Sequence, residues 1–372
     1  MKTLLVMAGG TGGHIFPALA VAEKLRQAKI NVVWLGSRSG LETRLVPAAG
    51  FESDTLDIRG VRNTGWLRWL QLPFALTRAI LQARKIIRHR TPAALLGMGG
   101  FAAGPGGVVA ALMRLPLLVH ESNAQAGLTN RLLAPLARSV MCGFPGTVGL
   151  GKNIDWTGNP LRAELLDIAA PPARYAHRQG PLHVLVIGGS QGAHVLNQVV
   201  PDAVARLTLA ERPILVHQCG ARNFEAVNRH YERVGVHAQV ISFIDDMRSA
   251  YSKADLVIAR AGAMTVSEVC AVGVATLFVP YAKAAGGHQK ANARYLAERD
   301  AALMLLQESL NPEGLAEVLS RLVKDRCRLQ ALASRARELC RPDATDRVAA
   351  LCMEALGAVS YTHLTLPTIL LV

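Results

Sequence analysis

The sequence predicts two α/β domains in tandem, each a parallel sheet covered by helices on both faces. Three observations carry that prediction. The chain has 372 residues, and at about 100–200 residues per domain this calls for two. Short apolar runs of strand character alternate with helical stretches throughout. One element, a buried strand running into a glycine loop and then a helix, occurs twice, with its glycines starting at Gly9 and again at Gly188.

Taken in order, Lys2–Ala8 forms the first strand and leads into Gly9-Gly10-Thr11-Gly12-Gly13. Ile15, Ala18, Leu19 and Ala22 then share one helical face, with Pro17 suited to a first turn. Apolar runs at Asn31–Leu35, Ala93–Leu96, Leu115–Val119 and Ser139–Cys142 supply further strands of this half. Leu182–Ile187 opens the second half and runs into Gly188-Gly189-Ser190-Gln191-Gly192. Its strands continue at Ile214–His217, Gln239–Phe243, Leu256–Ala259 and Ala275–Val279. Runs apolar throughout, rather than alternating, are what a sheet buried on both faces requires.

The periodicity is interrupted in Ala163–Pro181 by Ala169-Ala170-Pro171-Pro172, which divides the chain into domains of residues 1–162 and 163–342. Val348, Leu351, Cys352 and Ala355 form one more amphipathic helix, and residues 343–357 are expected to pack back on the first domain. Residues 359–372 join no strand–helix unit and read as a tail foreign to the fold. Ligands of such sheets sit beyond the carboxyl ends of the strands, so both glycine loops are expected to face a common cleft.

Composition narrows the classes. With 51% hydrophobic residues and 33 glycines the chain has ample material for two cores, which excludes a mainly disordered protein. The apolar run Leu4–Ala8 is too short for a secretory signal. Phe101–Val119, the most membrane-like stretch, is broken by Gly104, Pro105, Gly106, Gly107, Arg114 and Pro116. The six cysteines show no CxxC pair, which fits a reducing cytoplasm.

The net charge of +14 is concentrated. Residues 58–120 hold nine Lys and Arg and no acid. Within them Trp66, Arg68, Trp69, Leu70 and Phe74 interleave apolar bulk with charge before the basic run that holds Arg78, Arg84 and Arg88. A solvated basic helix face accounts for this run. An anionic phospholipid surface accounts for it equally, each nearby base adding about 1 kcal/mol. Nucleic acid is excluded as a partner, since no helix-turn-helix, zinc-finger or RNA-binding signature accompanies the charge.

Neither glycine loop is a dinucleotide fingerprint, because Ile15 stands where the third glycine of GxGxxG belongs and Ser190 where the second does. A P-loop near miss at Gly146–Asn153 lacks the closing Ser/Thr. Both loops offer unobstructed backbone amides at a helix start, a site for phosphate, and tight turns are the plainer use of the same glycines. A third cluster, Gly97–Gly100 with Gly104–Gly107, also follows a strand. His14 opens the first helix, whose positive end favours a neutral imidazole able to accept a proton; a capping role is the alternative. Thr265 and Glu268 have capping-box spacing, and Glu268 is also placed for a nucleotide ribose. No DxD and no metal-ligand cluster occurs, so neither metal nor cofactor is expected, and a departing phosphate must be stabilised by the protein.

Eight motifs in order, GGTGGH (Gly9–His14), GMGG with GPGG (Gly97–Gly107), HESN (His120–Asn123), GNPLR (Gly158–Arg162), GGSQGA (Gly188–Ala193), FIDDM (Phe243–Met247), RAGAMTVSE (Arg260–Glu268) and HQKANA (His288–Ala293), closely resemble the MurG family. The resemblance covers about residues 2–357. It implies two Rossmann-like domains facing across a cleft, the glycosyltransferase B type. It also implies inverting transfer of GlcNAc from UDP-GlcNAc to the C4 hydroxyl of undecaprenyl-pyrophosphoryl-MurNAc-pentapeptide, a peripheral place on the cytoplasmic face of the membrane, and cell-wall synthesis proteins as partners.

By the same resemblance His14 is the catalytic base, and Gly10, Gly99 and Gly100 hold the acceptor pyrophosphate. The donor falls to Thr11, Gly12, Gly13, Asn123, Arg162, Gly189, Ser190, Gln191, Gly192, Ile244, Arg260, Ala263, Met264, Thr265, Val266, Ser267, Glu268 and Gln289. Among these Ser190 with Gly189, Gln191 and Gly192 takes the diphosphate, Ile244 the uracil through its backbone and Glu268 the ribose. Phe101 departs from the tyrosine common in the family, and Gly286-Gly287 from its acidic residues. A nucleotide-sugar 2-epimerase of the same architecture would need cleft carboxylates, and a non-catalytic membrane scaffold would not need the donor motifs.

Overall fold

The computed structural model describes residues 2–58, 66–176, 178–189 and 192–357, with residues 66–72 and 285 described by backbone alone. The suspected foreign tail, Ser190 and Gln191 lie outside the described residues, as do the side chains of Trp66, Arg68, Trp69 and Leu70. In chain order come β1 (Thr3–Ala8), α1 (Gly12–Gln27), β2 (Asn31–Ser37), α2 (Glu42–Ala48), β3 (Glu52–Leu56), α3 (Trp66–Arg90), β4 (Ala94–Gly99) and α4 (Ala103–Leu112). β5 (Leu117–Glu121), α5 (Leu128–Leu133), β6 (Ser139–Cys142), β7 (Asp155–Trp156), α6 (Ala163–Leu166) and α7 (Pro171–Tyr175) follow. Next are β8 (His183–Ile187), α8 (His194–Ala205), β9 (Ile214–Gln218), α9 (Phe224–Arg233), β10 (Gln239–Ile241), α10 (Met247–Lys253), β11 (Leu256–Ala259) and α11 (Ala263–Val272). The chain closes with β12 (Ala275–Phe278), α12 (His288–Ala297), β13 (Leu303–Met304), α13 (Pro312–Lys324), α14 (Arg326–Glu338) and α15 (Ala344–Ala355).

These elements fall into two units. Of the described residues, one unit takes those up to 120, 132–141 and 345–357; the other takes 121–131 and those within 142–344. The second therefore includes residues 142–162, ahead of the proline-rich interruption. There Pro171 and Pro172 open α7, where a missing N–H costs nothing.

The first unit orders its strands β3-β2-β1-β4-β5-β6. Central β1 pairs in parallel with β2, Leu4 beside Val32, and with β4, Leu4 beside Ala94. Its side chains alternate between two cores, as strand geometry demands. Leu4, Val6 and Ala8 pack with Ile15, Ala18, Ala22 and Leu25 of α1 and with Val348, Ala349 and Cys352 of α15. Leu5 and Met7 pack on the opposite face with Ala83 and Ile87 of α3 and Val109 and Ala110 of α4. Pro17 is not in the first turn of α1: the helix starts at Gly12, so the proline sits in the second turn and leaves the Gly13 carbonyl without its helical N–H donor.

In the second unit the order is β10-β9-β8-β11-β12-β13. Val184 and Val186 of β8 face α8, α13 and α14, while Leu185 and Ile187 face the core built from α10, α11 and α12. Both sheets thus bury both faces, which is why their strands read as continuous apolar runs. All six cysteines are free. Among the described residues no helix is long and apolar enough to cross a membrane.

Candidate functional site

In the first unit, β1 ends at Ala8 and the chain turns through Gly9 and Gly10 into α1. Thr11 is the N-cap residue and makes no side-chain cap; its hydroxyl lies 3.5 Å from Nδ1 of His14. His14 is half-buried in the first turn, with Nδ1 3.2 Å from the Gly9 carbonyl oxygen. That oxygen can only accept, so the contact is a hydrogen bond in the tautomer with its proton on Nδ1, which puts the lone pair on Nε2. Beyond β4 the chain passes under this ring. A Cβ at Gly99 would stand 3.0 Å from the imidazole, and one at Gly100 would strike the Gly9 carbonyl. Both glycines also have positive φ, +99° and +87°. The glycines that follow β1 and β4 and the expected base therefore meet at the carboxyl ends of two adjacent strands.

Gly10, expected at the acceptor pyrophosphate, has a partner of its own in the protein. Its N–H donates to Oε2 of Glu42 at 3.0 Å, so this amide already serves a carboxylate of the protein. Glu42 is 2% exposed, and its other oxygen accepts from the Ser37 N–H at 2.8 Å and the Ser37 hydroxyl at 2.6 Å.

The second unit gathers the remaining described residues expected at the donor. Gly189 follows β8 with φ +80°, and Gly192 precedes α8 with φ +74°, where a Cβ would strike the Cys219 carbonyl. Gln218 at the end of β9 clasps this loop. Its Oε1 accepts from the Gly189 N–H at 3.0 Å, and its Nε2 donates to the Gly189 carbonyl at 2.9 Å and the Ser242 carbonyl at 3.1 Å. One amide so joins the expected diphosphate loop to the segment that leads to buried Ile244.

From β11 the chain turns through Arg260, Ala261 and Gly262 into α11, which carries Ala263, Met264, Thr265, Val266, Ser267 and Glu268. Gly262 is the N-cap, so Thr265 lies inside the helix and the Thr265–Glu268 capping box does not form. Glu268 accepts from the Tyr251 hydroxyl at 3.1 Å and lies 3.5 Å from the Arg162 guanidinium. Burial raises its pKa, with Arg162 and Tyr251 opposing. Ser267 accepts from Nδ2 of Asn159 at 2.9 Å. Arg260 stacks 5.3 Å from the Tyr281 ring centroid and donates to the Val279 carbonyl at 3.0 Å. Burial lowers its pKa, with Tyr281 opposing. Oε1 of Gln289 accepts from the Tyr281 N–H at 2.9 Å, which leaves the amide nitrogen as the donor end of that side chain. Gly286 and Gly287 have φ +64° and +71°, so the acidic residues common there in the family would be strained on this backbone.

Asn123 is held from two sides. Its backbone N–H and Nδ2 donate to Oε1 of buried Glu121 at 2.9 Å each, while Nδ2 of Asn292 donates to its Oδ1 at 3.1 Å. Asn292, itself fully buried, also accepts from the Ala124 N–H at 2.8 Å and donates to the Ala261 carbonyl at 3.1 Å. Glu42, Glu121, Gln218 and Asn292 are the polar residues that single-chain reading passes over. Glu121 and Asn292 do fall inside the HESN and HQKANA motifs, whereas Glu42 and Gln218 carry only the signal of an acid at a helix start and an amide at a strand end. Among the described residues no group of three or more His, Cys, Asp or Glu side chains could hold a metal ion.

Two family descriptions match this chain: the glycosyltransferase family 28 N-terminal domain over residues 4–142 and the glycosyltransferase family 28 C-terminal domain over residues 183–348. The UDP-N-acetylglucosamine--N-acetylmuramyl-(pentapeptide) pyrophosphoryl-undecaprenol N-acetylglucosamine transferase of Ralstonia nicotianae is 51% identical over 360 residues, 96% of this chain and 97% of the relative. The crystal structure of Acinetobacter baumannii MurG superposes with a TM-score of 0.81 at 38% identity, covering 95% of this chain and 100% of that one. A UDP-GlcNAc 2-epimerase from Neisseria meningitidis shares the fold alone, with a TM-score of 0.64 at 12% identity over 95% of this chain and 100% of that one. Two glycosyltransferase B type domains, the motifs on their loops and near full-length identity agree: the chain belongs to the MurG family of N-acetylglucosamine transferases, within glycosyltransferase family 28.

Proposed function

We propose that this enzyme transfers GlcNAc from UDP-GlcNAc to the C4 hydroxyl of undecaprenyl-pyrophosphoryl-MurNAc-pentapeptide, with inversion at the anomeric carbon, in peptidoglycan synthesis. The 51% identity to the Ralstonia transferase, running through both units, is the observation that carries the reaction. The chemistry is a single displacement. Nε2 of His14 takes the proton of the attacking hydroxyl, and UDP leaves with its diphosphate on the first-turn amides of α8, which the Gly188–Gly192 loop leads into. Backbone amides at a helix start offset the developing diphosphate charge without a metal. Glu268, drawn between Arg162 and the Tyr251 hydroxyl, is set to accept from ribose hydroxyls, and Gln289 presents its amide nitrogen to the sugar.

The acceptor is lipid-linked, and we place the enzyme peripherally on the cytoplasmic membrane face. Support comes from α3, where Phe74 and Leu81 are exposed beside Arg84, Lys85 and Arg88. The deciding experiment measures UDP release from UDP-GlcNAc in EDTA. Release should require the lipid-linked muramyl-pentapeptide, and no release with that acceptor present overturns the reading.

A further inference from the structure

We infer that Glu42 is a positioning residue for the base, acting on His14 through the single peptide group that joins Gly9 to Gly10. The inference rests on the reading of His14 as general base. The carbonyl of that peptide belongs to Gly9 and its N–H to Gly10. His14 Nδ1 donates to the carbonyl across 3.2 Å, and the N–H donates to Glu42 Oε2 across 3.0 Å. Two hydrogen bonds on opposite ends of one peptide polarise it in the same sense. The carboxylate draws on the N–H, the carbonyl oxygen gains negative charge, and its hold on the imidazole N–H strengthens. In catalytic triads a carboxylate bonds the base directly and stabilises the imidazolium as it forms. Here a peptide stands between them, passing on polarisation while the proton stays on His14.

The surroundings of Glu42 hold its side chain in one place. Its remaining oxygen is taken by the N–H and hydroxyl of Ser37, and its side chain is 2% exposed. Among the described residues no ion pair involves it, so no cation cancels its field. A Cβ added at Gly9, Gly36 or Gly40 would run into the Glu42 side chain, so the loop after β1, the end of β2 and the loop after β2 each give a glycine to wrap it. The strands against which α1 packs, β1, β2 and β4, carry no titratable side chain. Glu23, Lys24 and Arg26 lie in the last turns of α1, and Asp346 of α15 pairs with Lys24 there. Arg44 of α2 is exposed. Against His14 itself stand the positive end of α1, which disfavours the imidazolium, and Glu42, which favours it.

The test uses the full chain with its histidine rings labelled with nitrogen-15. In the wild type the neutral His14 ring should carry its proton on Nδ1; the Nε2–H tautomer overturns the inference whatever any variant does. In Glu42→Gln, which keeps the shape and removes the charge, the His14 pKa should fall by about 0.5–1 unit. The kcat should drop about tenfold while KM for UDP-GlcNAc stays within twofold, and the variant should add no loss in a His14→Ala background. A folded Glu42→Gln with unchanged His14 titration and kcat within twofold of wild type overturns it. Near-normal turnover of His14→Ala removes the base and this role together, whereas an inactive His14→Ala beside a fully active Glu42→Gln removes the role of Glu42 alone.

Discussion

His217 shows how a single buried side chain sets a condition on the second unit. Its ring is fully buried at the end of β9, with Nδ1 2.8 Å from the Tyr231 hydroxyl and Nε2 3.1 Å from Oδ1 of Asn197. Burial pushes its pKa from 6.5 down to about 3. The folded ring is therefore neutral while the unfolded one protonates near its ordinary value. Stability is complete above about pH 7 and is lost as the pH falls through the unfolded value toward the folded one, by about 2 kcal/mol between pH 7 and pH 5. Urea unfolding across this range should show that slope, and His217→Gln should flatten it. Asn292 makes a second case. Asn292→Asp still accepts from Ala124 but turns an oxygen toward Ala261 and Asn123, so UDP-GlcNAc affinity by calorimetry should weaken about tenfold. These residues were illegible in the sequence for one reason. The partners of Asn292 lie at positions 123, 124 and 261, and spacing along a chain says nothing about so distant a pairing. Local spacing misled twice, at Pro17, because α1 starts as early as Gly12, and at Thr265 and Glu268, because Gly262 starts the helix three residues earlier.

Elements were far more legible. β2, β4, β6, β11 and β12 lie where the apolar runs predict them, since a strand buried on both faces leaves an uninterrupted apolar signature. Helix α3 divides its residues as the basic run suggests. Ala79, Ala83 and Ile87, one helical turn apart, are buried, and Arg84, Lys85 and Arg88 are exposed. The sequence did not show that two of its bases are already engaged. Arg78 lies 3.1 Å from Asp57, and Arg90 bonds Asp54 at 2.8 Å and also pairs with Glu52. Reversing Arg84 and Arg88 to Glu should therefore reduce sedimentation with anionic liposomes at low salt, with little change in melting temperature. Reversing Arg90 should lower the melting temperature instead, because it sets a like charge against two acids of β3. Unchanged sedimentation of the double reversal would return α3 to a merely solvated face.

At the scale of the whole molecule, the two-domain α/β plan followed from length and from the repeated strand–glycine–helix element, because each repeat opens one sheet at its centre. The route of the chain did not. The first unit is assembled from residues before 121, a short return at 132–141, and α15. Val348 and Cys352 are fully buried against the α1 face of its sheet. Val348→Asp should cost this unit about 3 kcal/mol or more by burying an unpaired charge. Calorimetry should show the loss, while UDP affinity, which we assign to the second unit, should change less than twofold.

That last helix also sets a schedule. During synthesis β1 to β6 of the first unit are made early, yet the part of its α1 face that α15 covers stays open until α15 emerges, about 200 residues later. At roughly 5–20 residues per second the ribosome takes about 10–40 s over that interval. Through it the apolar surface that Val348, Ala349 and Cys352 will cover faces water on a nascent chain whose second half is still being made, so any factor that shields young polypeptides has this surface, for that time, to protect.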